Sequence, residues 1–130
     1  MPNAPPKILL ADDEFAALEV LQLLLCAEGF EVVTASDGQE ALELMAAEDV
    51  DLVVTDYKMP RMDGLELCAR LQLDARFSAI PVIMTSATYS VERALPPGVV
   101  AFVPKPIEFP ALLAKIRGLL QGTAGRPEND

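Results

Sequence analysis

Apolar residues gather in this chain into five short runs, at 7–11, 31–35, 51–55, 81–86 and 99–103. Lys7-Ile8-Leu9-Leu10-Ala11 and Asp51-Leu52-Val53-Val54-Thr55 are apolar almost throughout, as strands buried on both faces are. Between the runs, apolar positions recur every three or four residues, which predicts helices. The first helix is expected over about 14–28, with Leu18, Leu21 and Leu25 as its core stripe and Gly29 as a left-handed stop. The second spans about Gly38–Ala47 behind Asp37 as N-cap and turns Ala41, Leu42 and Met45 inward. The third covers about 64–75, capped by Asp63, with Leu67, Cys68 and Leu71 inside. The last covers about 109–120 and carries Leu112, Leu113 and Ile116. Pro96 and Pro97 cut a helix between Ala87 and Val99 to about two turns. Strands alternating with helices predict an α/β fold, a doubly wound parallel sheet covered on both faces. One domain is expected over 7–120, with disordered tails at 1–6 and 121–130.

Composition narrows the function. At 130 residues and 52% hydrophobic, the chain suits a single globular domain. A net charge of −10 argues against direct nucleic-acid binding, which relies on Lys and Arg. No apolar stretch reaches the roughly 18 residues of a membrane span, and no basic leader precedes an apolar block. Cys26 and Cys68 make no disulfide framework; both fit small buried thiols in a reducing, cytoplasmic compartment. There is no histidine, so any phosphoryl group must come from another molecule.

The chemistry gathers in acids. Asp12 and Asp13 close the first run, and Asp56 follows the third. If those strands lie parallel and adjacent, three carboxylates meet at one sheet edge. Carboxylates that close raise one another's pKa unless a cation sits among them. The natural guest is a hard, oxygen-loving divalent ion, Mg²⁺, for which Mn²⁺ could substitute. Ligands in open parallel sheets bind beyond the carboxyl ends of the strands. Ser86 and Lys105, after the fourth and fifth runs, fall at that same edge.

Taken in order, Asp12-Asp13, Asp56, Met59-Pro60-Arg61-Met62-Asp63-Gly64, Ser86-Ala87 and Lys105-Pro106 resemble the receiver domain of bacterial response regulators. The resemblance covers about residues 7–120. It implies a flavodoxin-like five-stranded sheet in the order 2-1-3-4-5, here with a shortened fourth helix. It implies Asp56 as phosphoacceptor, and Mg²⁺ held by Asp12, Asp13, Asp56 and the backbone carbonyl of Lys58. Lys105 and Ser86 would take phosphoryl oxygens, and Phe102 would be the aromatic switch. Lys58 and Thr88 occupy positions that tune the lifetime of the phosphoryl group, and Lys105–Pro106 is a candidate cis bond. The implied function is a phosphorylation switch of the single-domain chemotaxis or phosphorelay type. A histidine kinase or a histidine phosphotransfer protein would charge it, and its own hydrolysis would limit the signal. Output would run through protein contact, with no DNA-binding output domain in this chain and no catalysis beyond its own phosphorylation and dephosphorylation.

Several residues have plainer roles open to them. Asp12 or Asp13 also suits the cap of the first helix. Thr85 rivals Ser86, and Phe102 suits a core aromatic. A second apolar line on the first helix, Ala16, Val20, Leu23 and Ala27, is either scattered exposure or the docking face for a helical partner bearing the donor histidine. The stretch from Ser86 to Lys105 is short for a receiver, which predicts output through a reshaped fourth-helix region or another face. A phosphohydrolase with an aspartyl nucleophile would need a second acid near Asp56, where this chain has Lys58. A flavodoxin-type cofactor carrier would need a hydroxyl- and glycine-rich loop after the first strand, and Asp12-Asp13-Glu14 stands there instead. An interaction module that never phosphorylates would not need the full set of acids and Lys105.

Overall fold

The computed structural model describes residues 4–87 and 95–125, with side chains as far as Gln121. Five strands form one parallel sheet: β1 (Lys7–Ala11), β2 (Glu31–Ala35), β3 (Leu52–Asp56), β4 (Val82–Ser86) and β5 (Val99–Pro104). Their order is β2-β1-β3-β4-β5, as expected. Among the described residues the helices are α1 (Phe15–Ala27), α2 (Gly38–Ala47), α3 (Gly64–Gln72) and α4 (Phe109–Gly125). The short helix expected between Ala87 and Val99 falls largely on residues outside those described.

Alternation along the strands builds two cores. Leu9, Val53, Val82 and Met84 point to one face and pack with Ala41 and Met45 of α2 and Leu67, Cys68 and Leu71 of α3. Ile8, Leu10, Leu52, Val54 and Ile83 point to the other, against Leu18, Leu21 and Leu25 of α1 and Leu112 and Ile116 of α4. β3 and β4 are buried along their whole length; their first three residues are apolar, and the polar ones, Thr55, Asp56, Thr85 and Ser86, gather at the carboxyl ends.

Helix ends follow local chemistry. Asp37 accepts from the Glu40 N–H at 2.8 Å, and Asp63 from the Glu66 N–H at 2.9 Å. Beyond α1, the Gly29 N–H donates to Cys26 and the Phe30 N–H to Leu25, with Gly29 at φ 98. This paired closure needs a left-handed residue, and glycine takes it without a Cβ clash.

Three expectations are corrected. α3 stops at Gln72 rather than Ala75, because the Asp74 carboxylate binds the N–H and guanidinium of Arg76 and pulls the chain into a turn. α4 continues to Gly125 rather than ending at Leu120; Gly122 lowers helix propensity without breaking the helix. Cys26 is exposed on α1, one position beyond the buried Leu25, whereas Cys68 is buried as expected. Burial pushes the Cys68 thiol up to about 11, so it stays protonated at neutral pH.

Candidate functional site

The sheet register brings the acids together. Ala11 pairs with Thr55, so Asp12 and Asp56 leave adjacent strands at the same level. Asp12 and Asp56 are buried and Asp13 is exposed, and one oxygen from each lies within 4.8 Å of the others. Asp12 Oδ1 accepts from the Glu14 N–H at 2.9 Å, so this residue also shapes the start of α1. Asp56 Oδ1 accepts from the Tyr57 N–H at 2.9 Å.

Lys105 reaches into the acidic cup from the loop after β5. Its Nζ donates to Asp12 Oδ2 at 2.9 Å and to Asp56 Oδ2 at 3.0 Å. Its backbone N–H donates to the Ser86 carbonyl at 2.9 Å, which ties the lysine to the end of β4. The Lys105–Pro106 bond is cis.

Burial raises the Asp56 carboxyl pKa above the ordinary range; the Asp12 charge adds to this and Lys105 opposes it. Burial also works against the Lys105 ammonium, but the bonds to Asp12 and Asp56 outweigh it and raise its pKa. The cluster thus holds three carboxylates, only two of which pair with the Lys105 ammonium. That surplus of hard oxygen donors, partly desolvated, fits a small divalent cation.

The remaining predicted residues occupy the same edge. Ser86, buried, ends β4 opposite Pro104 of β5. Phe102 lies opposite Met84, half-buried against the α2–α3 core, two positions along β4 from Ser86. The Thr85 hydroxyl lies 3.5 Å from the Thr55 carbonyl, inside the sheet. Lys58 sits two residues past Asp56 with an exposed side chain. Thr88 lies outside the described residues.

Gly64 sets the distance between α3 and this edge. A Cβ there would strike the Asp56 carbonyl oxygen, and the Gly64 N–H donates to Tyr57 at 2.9 Å. Only a residue without a side chain lets α3 start this close to the Asp56 backbone.

On α1, Ala16, Val20, Leu23 and Ala27 are all exposed, as the second apolar line requires. Phe15 at 72% and Leu24 at 38% exposure widen that surface and were not legible in the spacing. A cleft of about 610 Å³ runs from Asp12 and Lys105 between Ala16 and Val20 of α1 and Pro106 and Ile107 after β5. The sequence also hid a link between two loops: Arg61 donates to the buried carboxylate of Asp37 through Nε at 2.8 Å. Their separation of 24 positions carries no local signal. β2 and β3 flank β1, so both loops leave the sheet at one edge, and that was the available clue.

A family profile described as the response regulator receiver domain matches residues 8–117. The chain belongs to the receiver domain family of response regulators. Its setting is two-component signalling. Response regulator MprA of Mycolicibacterium vanbaalenii is 40% identical over 122 residues, spanning 92% of this chain and 52% of that protein. Response regulator MprA of Mycobacterium leprae is 40% identical over 120 residues, 90% of this chain and 52% of that one. The chain thus spans about half the length of the curated relatives it matches.

Solved receivers share the architecture. The receiver domain of a signal transduction histidine kinase from Syntrophus aciditrophicus superposes with a TM-score of 0.85 at 30% identity, covering 96% of each chain. The response regulator TrrA from Thermotoga maritima, solved in complex with Mg²⁺–BeF, gives 0.80 at 30% identity, covering 88% of this chain and 98% of that one. Among the described residues of this receiver, no helix is long and apolar enough to cross a membrane.

Proposed function

We propose that this receiver accepts a phosphoryl group on Asp56 from a phosphohistidine partner and later releases it by hydrolysis. One observation carries the reading: Asp56 is buried against Asp12 with one oxygen on the Tyr57 N–H and the other on Lys105 Nζ. The carboxylate is thereby held in one orientation, as in-line displacement requires.

Asp12, Asp13 and Asp56, with the Lys58 carbonyl, would hold Mg²⁺. When bound, the ion offsets the charge that develops on attacking and phosphoryl oxygens. The Mg²⁺–BeF complex of the Thermotoga relative supports that choice of ion. An Asp56 oxygen forms the new O–P bond as the N–P bond to the donor imidazole breaks, and the bonding pair returns to the ring. Lys105 exchanges one carboxylate contact for a phosphoryl oxygen and remains an ammonium. The Ser86 hydroxyl moves to a second phosphoryl oxygen, and Phe102, on the same face of the sheet, turns into the space it leaves. Water then attacks phosphorus, inorganic phosphate departs and Asp56 is a carboxylate again. The domain acts on no other substrate.

The phosphodonor is a histidine kinase or histidine phosphotransfer protein docking on Ala16, Val20, Leu23 and Ala27. Ala16 and Val20 line the cleft that opens at Asp12 and Lys105, so a helix lying along this side of α1 would present its histidine toward Asp56. The acidic balance suits protein rather than nucleic-acid contact for this domain. The cytoplasm, where ATP feeds histidine kinases, is the compartment this reading assigns.

Beryllofluoride with Mg²⁺ tests it. NMR shifts should appear at Asp56, Ser86, Phe102 and Lys105 in the wild type and vanish in Asp56→Asn. Equal shifts in both proteins would refute the assignment.

A further inference from the structure

The loop between β3 and α3 is fastened from outside the acidic cup. Arg61 sits at φ 66, and across it the Met62 N–H donates to the Pro60 carbonyl at 2.7 Å. This is a three-residue turn of the positive-φ kind, which is rare and strained. An arginine keeps that conformation only when its surroundings over-determine it. Two contacts do so. The Gly38 N–H donates to the Met62 carbonyl at 2.9 Å, and a Cβ at 38 would lie 2.5 Å from that oxygen. The Arg61 guanidinium donates to Asp37 Oδ2 through Nε at 2.8 Å and a terminal nitrogen at 2.5 Å. The other oxygen of this carboxylate is held by the Glu40 N–H, so the acceptor is fixed to the start of α2.

Only Tyr57, Lys58, Met59 and Pro60 separate Arg61 from Asp56. Met59 is buried, so this segment has one anchor in the core and one at Asp37. We propose that the Arg61–Asp37 bridge is a brace that holds the β3–α3 loop in place and so sets how tightly the acidic cup takes a divalent cation. The inference rests on the functional reading above, in which the Lys58 carbonyl is a ligand. Arg61 acts through the loop and is a positioning residue.

Charge alone predicts a different pattern. Removing a cation near an acidic site strengthens cation binding through space, and removing an anion weakens it. A brace predicts weakening in both cases. Asparagine at 37 keeps the helix cap while losing the anion.

Mn²⁺ titration by electron paramagnetic resonance separates these on the full chain, with thermal denaturation run in parallel. Arg61→Ala and Asp37→Asn should each weaken Mn²⁺ binding about threefold to tenfold, at or below what losing an outer-sphere support costs a metal site. The double variant should be no weaker than the poorer single. Arg61→Ala that binds Mn²⁺ as tightly as wild type, or more tightly, overturns the brace. If Arg61→Ala does not fold, Arg61→Gln carries the same test with the same two outcomes. A wild type that binds no Mn²⁺, or an Asp13→Asn variant that binds as wild type does, overturns the functional reading and the brace with it. Normal wild-type binding beside unchanged Arg61 variants overturns the brace alone.

Discussion

α1 and α3 pack on opposite faces of the same sheet and are held there in different ways. α3 is secured at its start and along its side: Asp63 caps it, Gly64 presses it onto the Asp56 backbone, and Glu66 pairs with Arg70 at 3.0 Å. α1 has no side-chain cap, no acid in its first turn and no base in its last. It is attached by Leu18, Leu21 and Leu25, while Phe15, Val20, Leu23 and Leu24 face solvent. A helix with so little local support and so apolar an outer side gains nothing from that side in the isolated domain. The contrast separates a helix fastened in position from one that leaves an apolar side uncovered. α3 is pressed against the Asp56 backbone, and α1 exposes an apolar surface on the opposite face.

Removing the core stripe of α1 should break the contrast most severely. Leu25 is fully buried, so Leu25→Ala should cost about 2–5 kcal/mol in chemical denaturation. A cost below about 1 kcal/mol would mean that α1 is held by something other than its inner face. Asp63→Ala removes the cap of α3 and should cost about 1 kcal/mol, with Asp63→Asn close to wild type. An equal loss in both would assign the effect to charge instead.

A pH titration should show the next smaller effect. The Glu40 N–H, with help from Arg61 and against burial, holds the Asp37 carboxyl below its ordinary value. A carboxyl with a lowered folded-state pKa stabilises the protein above its unfolded value of about 4, and the benefit fades as pH falls through the folded value. Asp37→Asn should therefore flatten the acid limb of the stability profile, as followed by denaturation midpoints below about pH 5. An unchanged limb would remove Asp37 from the account. Smallest of all in stability, Leu23→Glu should change the folding free energy by less than about 0.5 kcal/mol, because the side chain is 72% exposed. The same variant should slow phosphotransfer from a phosphohistidine protein and leave labelling by acetyl phosphate intact. Equal loss in both assays would end the proposed contact role of α1.

The strands and the two cores were legible because they rest on short-range pattern, whereas the strand order, and with it the gathering of Asp12, Asp13, Asp56, Ser86 and Lys105, was expected from the resemblance of the motifs to a receiver. Continuous apolar runs mark the strands, spacing marks the inner helix faces, and strand ends mark the site. The end of α3 was missed because Asp74 and Arg76 make a local turn that the apolar spacing does not encode. Cys26 was misplaced because residue type suggested burial, whereas its place on the helix, next to Leu25, turned it outward. The Arg61–Asp37 link was invisible because it joins two loops whose approach exists only once β2 and β3 flank β1. Long-range side-chain pairs of that kind leave no periodicity to read.

The acidic cup is proposed to prepare Asp56 to be phosphorylated. Intact-mass spectrometry after incubation with acetyl phosphate and Mg²⁺ tests it most directly. Wild type should gain the mass of one phosphoryl group, lose it over time, and gain nothing when the metal is chelated or when Asp56 is replaced by Asn. An adduct of the same mass and yield on Asp56→Asn, or none on wild type with Mg²⁺ present, would contradict it.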